Sequence, residues 1–238
     1  EKQYLEGYDF SVLDEIQYCN DAGRKLKYLN EKGRKLWLSS SSEMLLAKKA
    51  LSFLVGRVSI IRIYPFSSPE FLRARGVRET TPEVSQRMVW EHMLFGGYPK
   101  VVLTDGQEMK KTLLSDLYQT MVLKDIAQTF SISDVRALET LSQYLSFNIG
   151  GVLSYETVCN QVGMSFPAMR KYLDAMVKSY FIVLTPPFHS NKSKEITKQP
   201  KIYFLDTGLR NSIAREFPAE PQNSGKLFEN YVLTELLK

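Results

Sequence analysis

The sequence predicts an α/β domain built on a parallel sheet, followed by an all-helical stretch and a winged helix-turn-helix. Three observations predict it. Short apolar runs at residues 10–13, 35–38 and 58–64 alternate with helical stretches, the order that a parallel sheet with crossover helices produces. From about residue 73 to Phe147 only helical spacing is present. Then two short helices in a tight turn precede two strands flanking a basic loop, the layout of a winged helix.

The elements follow in order. Phe10 to Leu13 is an apolar run that ends in two adjacent carboxylates, Asp14 and Glu15. Ala22 to Glu31 carries Leu26 and Leu29 among Arg24, Lys25, Lys27 and Lys32 and stops at Gly33, an amphipathic helix with a C-terminal glycine. Lys35-Leu36-Trp37-Leu38 is a second strand that runs into Ser39-Ser40-Ser41-Ser42. A helix is expected over Glu43 to Leu54, stopping near Gly56. Val58 to Tyr64 is β-branched and alternating, which predicts a third strand ended by Pro65. Ser67-Ser68-Pro69-Glu70 has capping-box spacing with proline near the first helical position. Helices are expected over Thr81–Phe95, Gln107–Phe130 and Asp134–Phe147, the first two separated by Gly96-Gly97-Tyr98-Pro99. Ser154 and Ser165 are placed to cap two further helices. Tyr180 to Leu184 and Pro200 to Leu205 read as strands.

Composition narrows the function classes. The 238 residues include 31 Lys and Arg against 26 Asp and Glu, a net charge of +5, with 44% hydrophobic and 24% charged residues. That balance excludes disordered, collagen-like and coiled-coil chains. The longest apolar runs, such as Phe181-Ile182-Val183-Leu184, fall far short of the roughly 20 residues that cross a bilayer. Two cysteines, Cys19 and Cys159, and two histidines, His92 and His189, are too few for a disulfide framework or a cysteine-built zinc site. The expectation is a cytoplasmic protein with no membrane partner. Glu1 in place of methionine and an uncapped last helix lead us to expect the middle of a longer polypeptide.

Two constellations carry chemistry. A carboxylate pair at the carboxyl end of a buried strand lies where α/β sheets bind ligands. There Asp14 can hold the shell of a Mg2+ ion and Glu15 can orient or deprotonate an attacking water. The same two residues also suit the start of a helix. Ser39 and Ser40 end the next strand, beside that pair in a parallel sheet, where a hydroxyl can meet a terminal phosphate. A serine run equally caps a following helix.

Several motifs occur in one order: Leu13-Asp14-Glu15-Ile16-Gln17, Leu38-Ser39-Ser40-Ser41-Ser42, Leu54-Val55-Gly56-Arg57, Tyr64-Pro65-Phe66-Ser67-Ser68-Pro69-Glu70-Phe71-Leu72, Phe95-Gly96-Gly97-Tyr98-Pro99, Leu123-Lys124-Asp125-Ile126 and Tyr203-Phe204-Leu205-Asp206-Thr207-Gly208-Leu209. With them the chain resembles the prokaryotic AAA+-type ATPases that carry a C-terminal domain of unknown function. The resemblance implies part of a P-loop NTPase core over residues 1–72, a helical lid over 73–149, a winged helix over 150–217 and, over 218–238, the start of a domain similar to PD-(D/E)XK nucleases. It implies ATP and Mg2+ as cofactors and a nucleotide state that repositions the winged helix. Asp14 and Glu15 match the Walker B pair. Ser39 matches the polar sensor-1 position, with Ser40 where many relatives have glycine. Arg57 matches a residue that senses phosphate or serves a neighbouring subunit as an arginine finger in a homo-oligomer; an ordinary ion pair is the competing reading.

One departure stands out. The family's G-x-x-x-x-G-K-[ST] loop, whose backbone N–H groups cradle phosphate, is not in this sequence; Gly225-Lys226 is the sole Gly-Lys pair. Either the loop precedes Glu1, or the chain is a degenerate scaffold without nucleotide binding, whose winged helix recruits DNA or a protein. Residues 150–217 hold nine basic and five acidic side chains, a balance of +4. Ser165, Arg170 and Lys171 on the second helix and Lys192, Lys194 and Lys198 on the loop are the candidate DNA contacts, mostly sequence-neutral. Glu229 matches the acidic residue on the opening helix of the nuclease-like domain, whose other metal ligands lie outside this sequence.

Overall fold

The computed structural model describes residues 8–40, 54, 56–78, 81–188, 198–220 and 224–238. It divides into two compact units, Glu1–Arg62 and Ile63–Lys238.

In the first unit, β1 (Phe10–Leu13) and β2 (Lys35–Leu38) pair in parallel, with Phe10 opposite Lys35 and Leu13 opposite Leu38. The crossover is α1 (Ala22–Glu31), as apolar residues at helical spacing require. Its Ala22 and Leu26 meet Ile16 and Leu54 in a small buried cluster, with Leu13, Leu36 and Leu38 packed against it. Gly33 takes φ +74 just past the helix, a left-handed turn that glycine adopts without strain. Parallel pairing puts the carboxyl ends of both strands at one rim.

The third strand expected over Val58–Tyr64 does not form: these residues lie outside any strand. Their β-branched alternation satisfies the side-chain preference of a strand. A strand also needs a partner for its backbone, and Ile60, Ile61 and Ile63 stay exposed. The segment instead spans the division between the two units. The helix expected over residues 43–54 lies outside the described residues apart from Leu54.

The second unit is helical, with α2 (Ser68–Ala74), α3 (Pro82–Phe95), α4 (Pro99–Val102), α5 (Gln107–Leu117), α6 (Val135–Phe147), α7 (Tyr155–Val162), α8 (Phe166–Lys178), α9 (Thr207–Ala214) and α10 (Gly225–Leu237). The capping box holds at α2, where the Ser67 N–H and hydroxyl both reach the Glu70 carboxylate, at 2.8 and 2.7 Å. Ser154, Ser165 and Asp206 cap α7, α8 and α9 by accepting from backbone N–H groups. The helix expected across residues 107–130 is interrupted: Tyr118–Ile126 winds as a π-helix between α5 and a closing turn at Ala127–Thr129. β3 (Ile182–Thr185) and β4 (Lys201–Phe204) form an antiparallel pair, Ile182 opposite Phe204.

One apolar cluster runs through much of this unit, beside two smaller ones that hold Phe71 of α2, Val101 and Val102 of α4 and Leu114 of α5. It draws Met93 from α3, Ile126 from the π-segment, Leu138, Leu141 and Leu145 from α6, Met169, Leu173 and Met176 from α8, Phe204 from β4, Leu209 from α9, and Leu227 and Tyr231 from α10. Residues from the segments expected as lid, winged helix and start of a further domain contribute to this one cluster, and the compact units divide after Arg62.

Two motifs from distant parts of the sequence meet inside it. The buried Asp206 carboxylate accepts from the N–H groups of Gly97 and Leu209, both at 2.8 Å. Gly96 (φ +72) and Gly208 allow the approach, since a Cβ on Gly208 would lie 2.1 Å from the carbonyl carbon of Phe95. His92 is buried below them, stacked on Phe71 with centroids 4.5 Å apart. Its Nε2 lies 3.0 Å from the Phe66 carbonyl and its Nδ1 3.1 Å from the Tyr231 hydroxyl. Burial pulls its pKa down to about 4, so the ring is neutral, donating from Nε2 to the carbonyl and accepting from Tyr231 at Nδ1.

Candidate functional site

The site begins where the two parallel strands stop. β1 hands on to Asp14 and Glu15, β2 to Ser39 and Ser40. The Ser39 N–H donates to the Leu13 carbonyl at 3.0 Å, and the Ser39 carbonyl accepts from the Ile16 N–H at 3.1 Å. These two bonds continue the ladder one residue past the strands. Between them the Ser39 hydroxyl donates to an Asp14 carboxylate oxygen and accepts from the Glu15 N–H at 3.0 Å.

Glu15 holds a left-handed backbone, φ 50 and ψ 46. For a residue with a Cβ this costs about 1–2 kcal/mol. It turns the chain so that Ile16 enters the core while Asp14 and Glu15 stay exposed. Strain of this kind collects at functional sites. The pair borders a cavity of about 880 Å3, with Leu13, Ile16, Leu26 and Leu29 on its apolar walls and Arg24 and Lys25 also lining it.

The donor set suits Mg2+ rather than a metal held by protein alone. Mg2+ keeps most of its waters and takes one or two carboxylates plus substrate phosphates, and two exposed carboxylates at a strand end meet that requirement. Among the described residues no cluster of three or more His, Cys, Asp or Glu side chains is placed to hold a metal ion. The residues that would cradle phosphate by a Gly-Lys loop are not in the sequence.

Of the other expected site residues, Ser40 is half-buried next to Ser39. Arg57 places its guanidinium 4.0 Å from Glu31, both side chains about half exposed, 50% and 52%. Ser165 caps α8 through the Ala168 N–H. Arg170 lies over the ring of Tyr155, 5.3 Å from its centroid, and Tyr155 meets Phe166 edge to face. Lys171 donates to the Ser131 carbonyl at 2.8 Å. Lys198 is exposed, and Lys192 and Lys194 lie outside the described residues.

The balance of +4 over residues 150–217 already counts two of the ion pairs found here, whereas Glu229 neutralises Lys201 from outside that segment. Lys178 pairs with Asp174, Lys201 with Glu229 and Arg210 with Glu216, each within 2.8 Å. Glu229, matched by resemblance to a metal-ligating position, instead accepts from Lys201 and from the Tyr203 hydroxyl, at 2.8 and 2.6 Å. Those two bonds hold its carboxyl below the usual range. Sequence reasoning missed the exposed Phe166 and its contact with Tyr155, and the clamp made by Ser39. The signal for the clamp was present: a short hydroxyl side chain one residue beyond a parallel strand, opposite the turn of its neighbour.

The comparisons with known proteins match two stretches of the chain. Residues 1–72 match a family model described as AAA domain, and residues 86–220 match one described as Domain of unknown function (DUF8612). An uncharacterised protein of Haemophilus influenzae is 26% identical over 235 residues, 96% of this chain and 58% of its own length. An uncharacterised protein of Methanocaldococcus jannaschii is 26% identical over 234 residues, 94% of this chain and 52% of its own. The chain thus spans only part of the curated relatives it matches. No solved structure matches. Among the described residues no helix is long and apolar enough to cross a membrane.

Proposed function

We propose, from the premise that this chain belongs to the DUF8612 family and opens in an AAA domain, that it is the carboxylate-bearing part of an AAA-type ATPase. One observation carries the reading: Asp14, Glu15 and the Ser39 hydroxyl converge at the shared end of two parallel strands. Asp14 would hold Mg2+ through water. Glu15 would orient the attacking water and take its proton. When bound, Mg2+ supplies charge neutralisation on the phosphates. Ser39 and Ser40 would complete the polar rim, and Arg57 would reach transferred charge, in its own or a neighbouring subunit, only by leaving Glu31. The nucleotide state would then reposition the region that we read as a winged helix, α7, α8, β3 and β4.

The test is Glu15→Gln in the intact protein. Turnover of ATP should fall by about 100-fold while ATP binding holds within about twofold. Unchanged turnover removes Glu15 from the mechanism.

A second reading is a winged helix that contacts DNA through Ser165, Arg170, Lys171 and the loop lysines 192, 194 and 198. The exposed N-terminal turn of α8, carrying Phe166 and Arg170, favours it. Phosphate contacts make duplex binding weaken as salt rises; a flat salt response rejects them.

A further inference from the structure

The resemblance assigns the hydroxyl of Ser39 to a terminal phosphate. Its hydrogen bonds assign it elsewhere. Ser39 is bonded to four consecutive residues of the neighbouring strand end: the Leu13 carbonyl, the Asp14 carboxylate, the Glu15 N–H and the Ile16 N–H. Two of these bonds use the main chain of Ser39 and two use its hydroxyl.

A serine hydroxyl has one proton. A carboxylate and a phosphate oxygen are both acceptors, so one hydroxyl cannot donate to both at once. Here the proton goes to Asp14 and a lone pair takes the N–H of Glu15. We propose that Ser39 is a positioning residue: its hydroxyl fixes the direction of the Asp14 carboxylate and holds Glu15 in its left-handed turn, instead of contacting the nucleotide. The backbone supports this division of labour. Glu15 sits at φ 50, a conformation that a residue with a Cβ keeps only when its surroundings hold it there. The main-chain bonds of Ser39 anchor Leu13 and Ile16 on either side, and the hydroxyl supplies the bonds in between. This inference rests on the ATPase reading for its consequence, while its geometry stands independently of turnover.

Two measurements on the intact protein separate the two. In residue-resolved amide exchange, Ser39→Ala should speed exchange of the Glu15 N–H by about fivefold or more, the loss of one hydrogen bond. The Ile16 N–H, bonded to the Ser39 main chain, should stay within about twofold, and Ser39→Thr should restore the Glu15 rate. In ATP assays, Ser39→Ala should lower turnover by at least about tenfold, as displaced catalytic groups do. It should raise the Mg2+ concentration for half-activation and leave ATP affinity within about twofold. Unchanged Glu15 exchange overturns the clamp whatever the turnover. Weakened ATP binding with normal turnover assigns the hydroxyl to phosphate and also overturns it. If Glu15→Gln leaves ATP turnover untouched while the exchange result holds, the ATPase reading falls and the clamp stands.

Discussion

The two units treat their motif residues in opposite ways. In the first unit the motif residues Asp14, Glu15 and Ser39 are exposed, the Ser39 hydroxyl bonds the Asp14 carboxylate and the Glu15 N–H, and among the described residues four buried apolar side chains form the cluster beneath them. In the second unit the motif residues Phe95, Gly96, Gly97, Asp206 and Gly208 are buried, with the Asp206 carboxylate accepting from the Gly97 N–H and Gly208 packed against the Phe95 backbone. Polar groups buried with every bond made specify a packing. Polar groups left at a strand rim over a cavity remain open to chemistry. A motif in a sequence is therefore not a site by itself, and burial decides which kind it is.

The comparison breaks most sharply at Gly208. A methyl group there meets the Phe95 backbone at 2.1 Å, so Gly208→Ala should cost about 3 kcal/mol or more by overpacking, read from urea unfolding. A neutral Gly208→Ala would show that the two motifs are not locked together. Next is Asp206→Ala, which strands the N–H groups of Gly97 and Leu209. Each buried orphan costs about 1–3 kcal/mol, so the loss should approach that of Gly208→Ala, with ATP binding unchanged. Lost ATP binding at full stability would move Asp206 to the chemical side of the comparison.

His92 sharpens the contrast through pH. Its folded pKa near 4 lies below the ordinary 6.5, so between those values the unfolded chain binds the proton and the folded chain does not. Stability from this group is full above pH 6.5 and is lost as pH falls toward 4, by up to about 3 kcal/mol. His92→Gln should flatten the stability difference between pH 7 and pH 5; an unaltered slope would place the titration elsewhere. The smallest effect belongs to the first unit. Arg57→Ala removes a half-exposed pair at 4.0 Å and should change stability by less than about 0.5 kcal/mol. A larger loss would make Arg57 a structural residue of the sheet.

Local signals carried much of this fold. Ser67-Ser68-Pro69-Glu70, Ser154, Ser165 and Thr81 start helices because capping is chemistry among near neighbours. The parallel pairing of β1 and β2 was legible from two apolar runs and one amphipathic helix between them. What lay hidden depends on contacts distant in sequence. Val58–Tyr64 has the side chains of a strand but pairs with none among the described residues. The nine basic residues of 150–217 gave no hint that Lys201 meets Glu229 or that Lys171 reaches Ser131. In the candidate site, the nearness of Asp14, Glu15 and Ser39 followed from parallel strands. The direction of the Ser39 proton did not, because it is set by a left-handed turn at Glu15 that no propensity announces.

One feature of the second unit limits how this molecule can associate. On the side of β4 facing away from β3, Ile202 is bonded through both backbone groups to Gly150 and Gly151. The carboxamide of Asn230 takes both backbone groups of Phe204, at 2.9 and 2.7 Å. A hairpin with an open rim invites a foreign strand to zip onto it. Here a glycine turn and one asparagine side chain impersonate that strand, so fibril-like growth from this margin must first evict them.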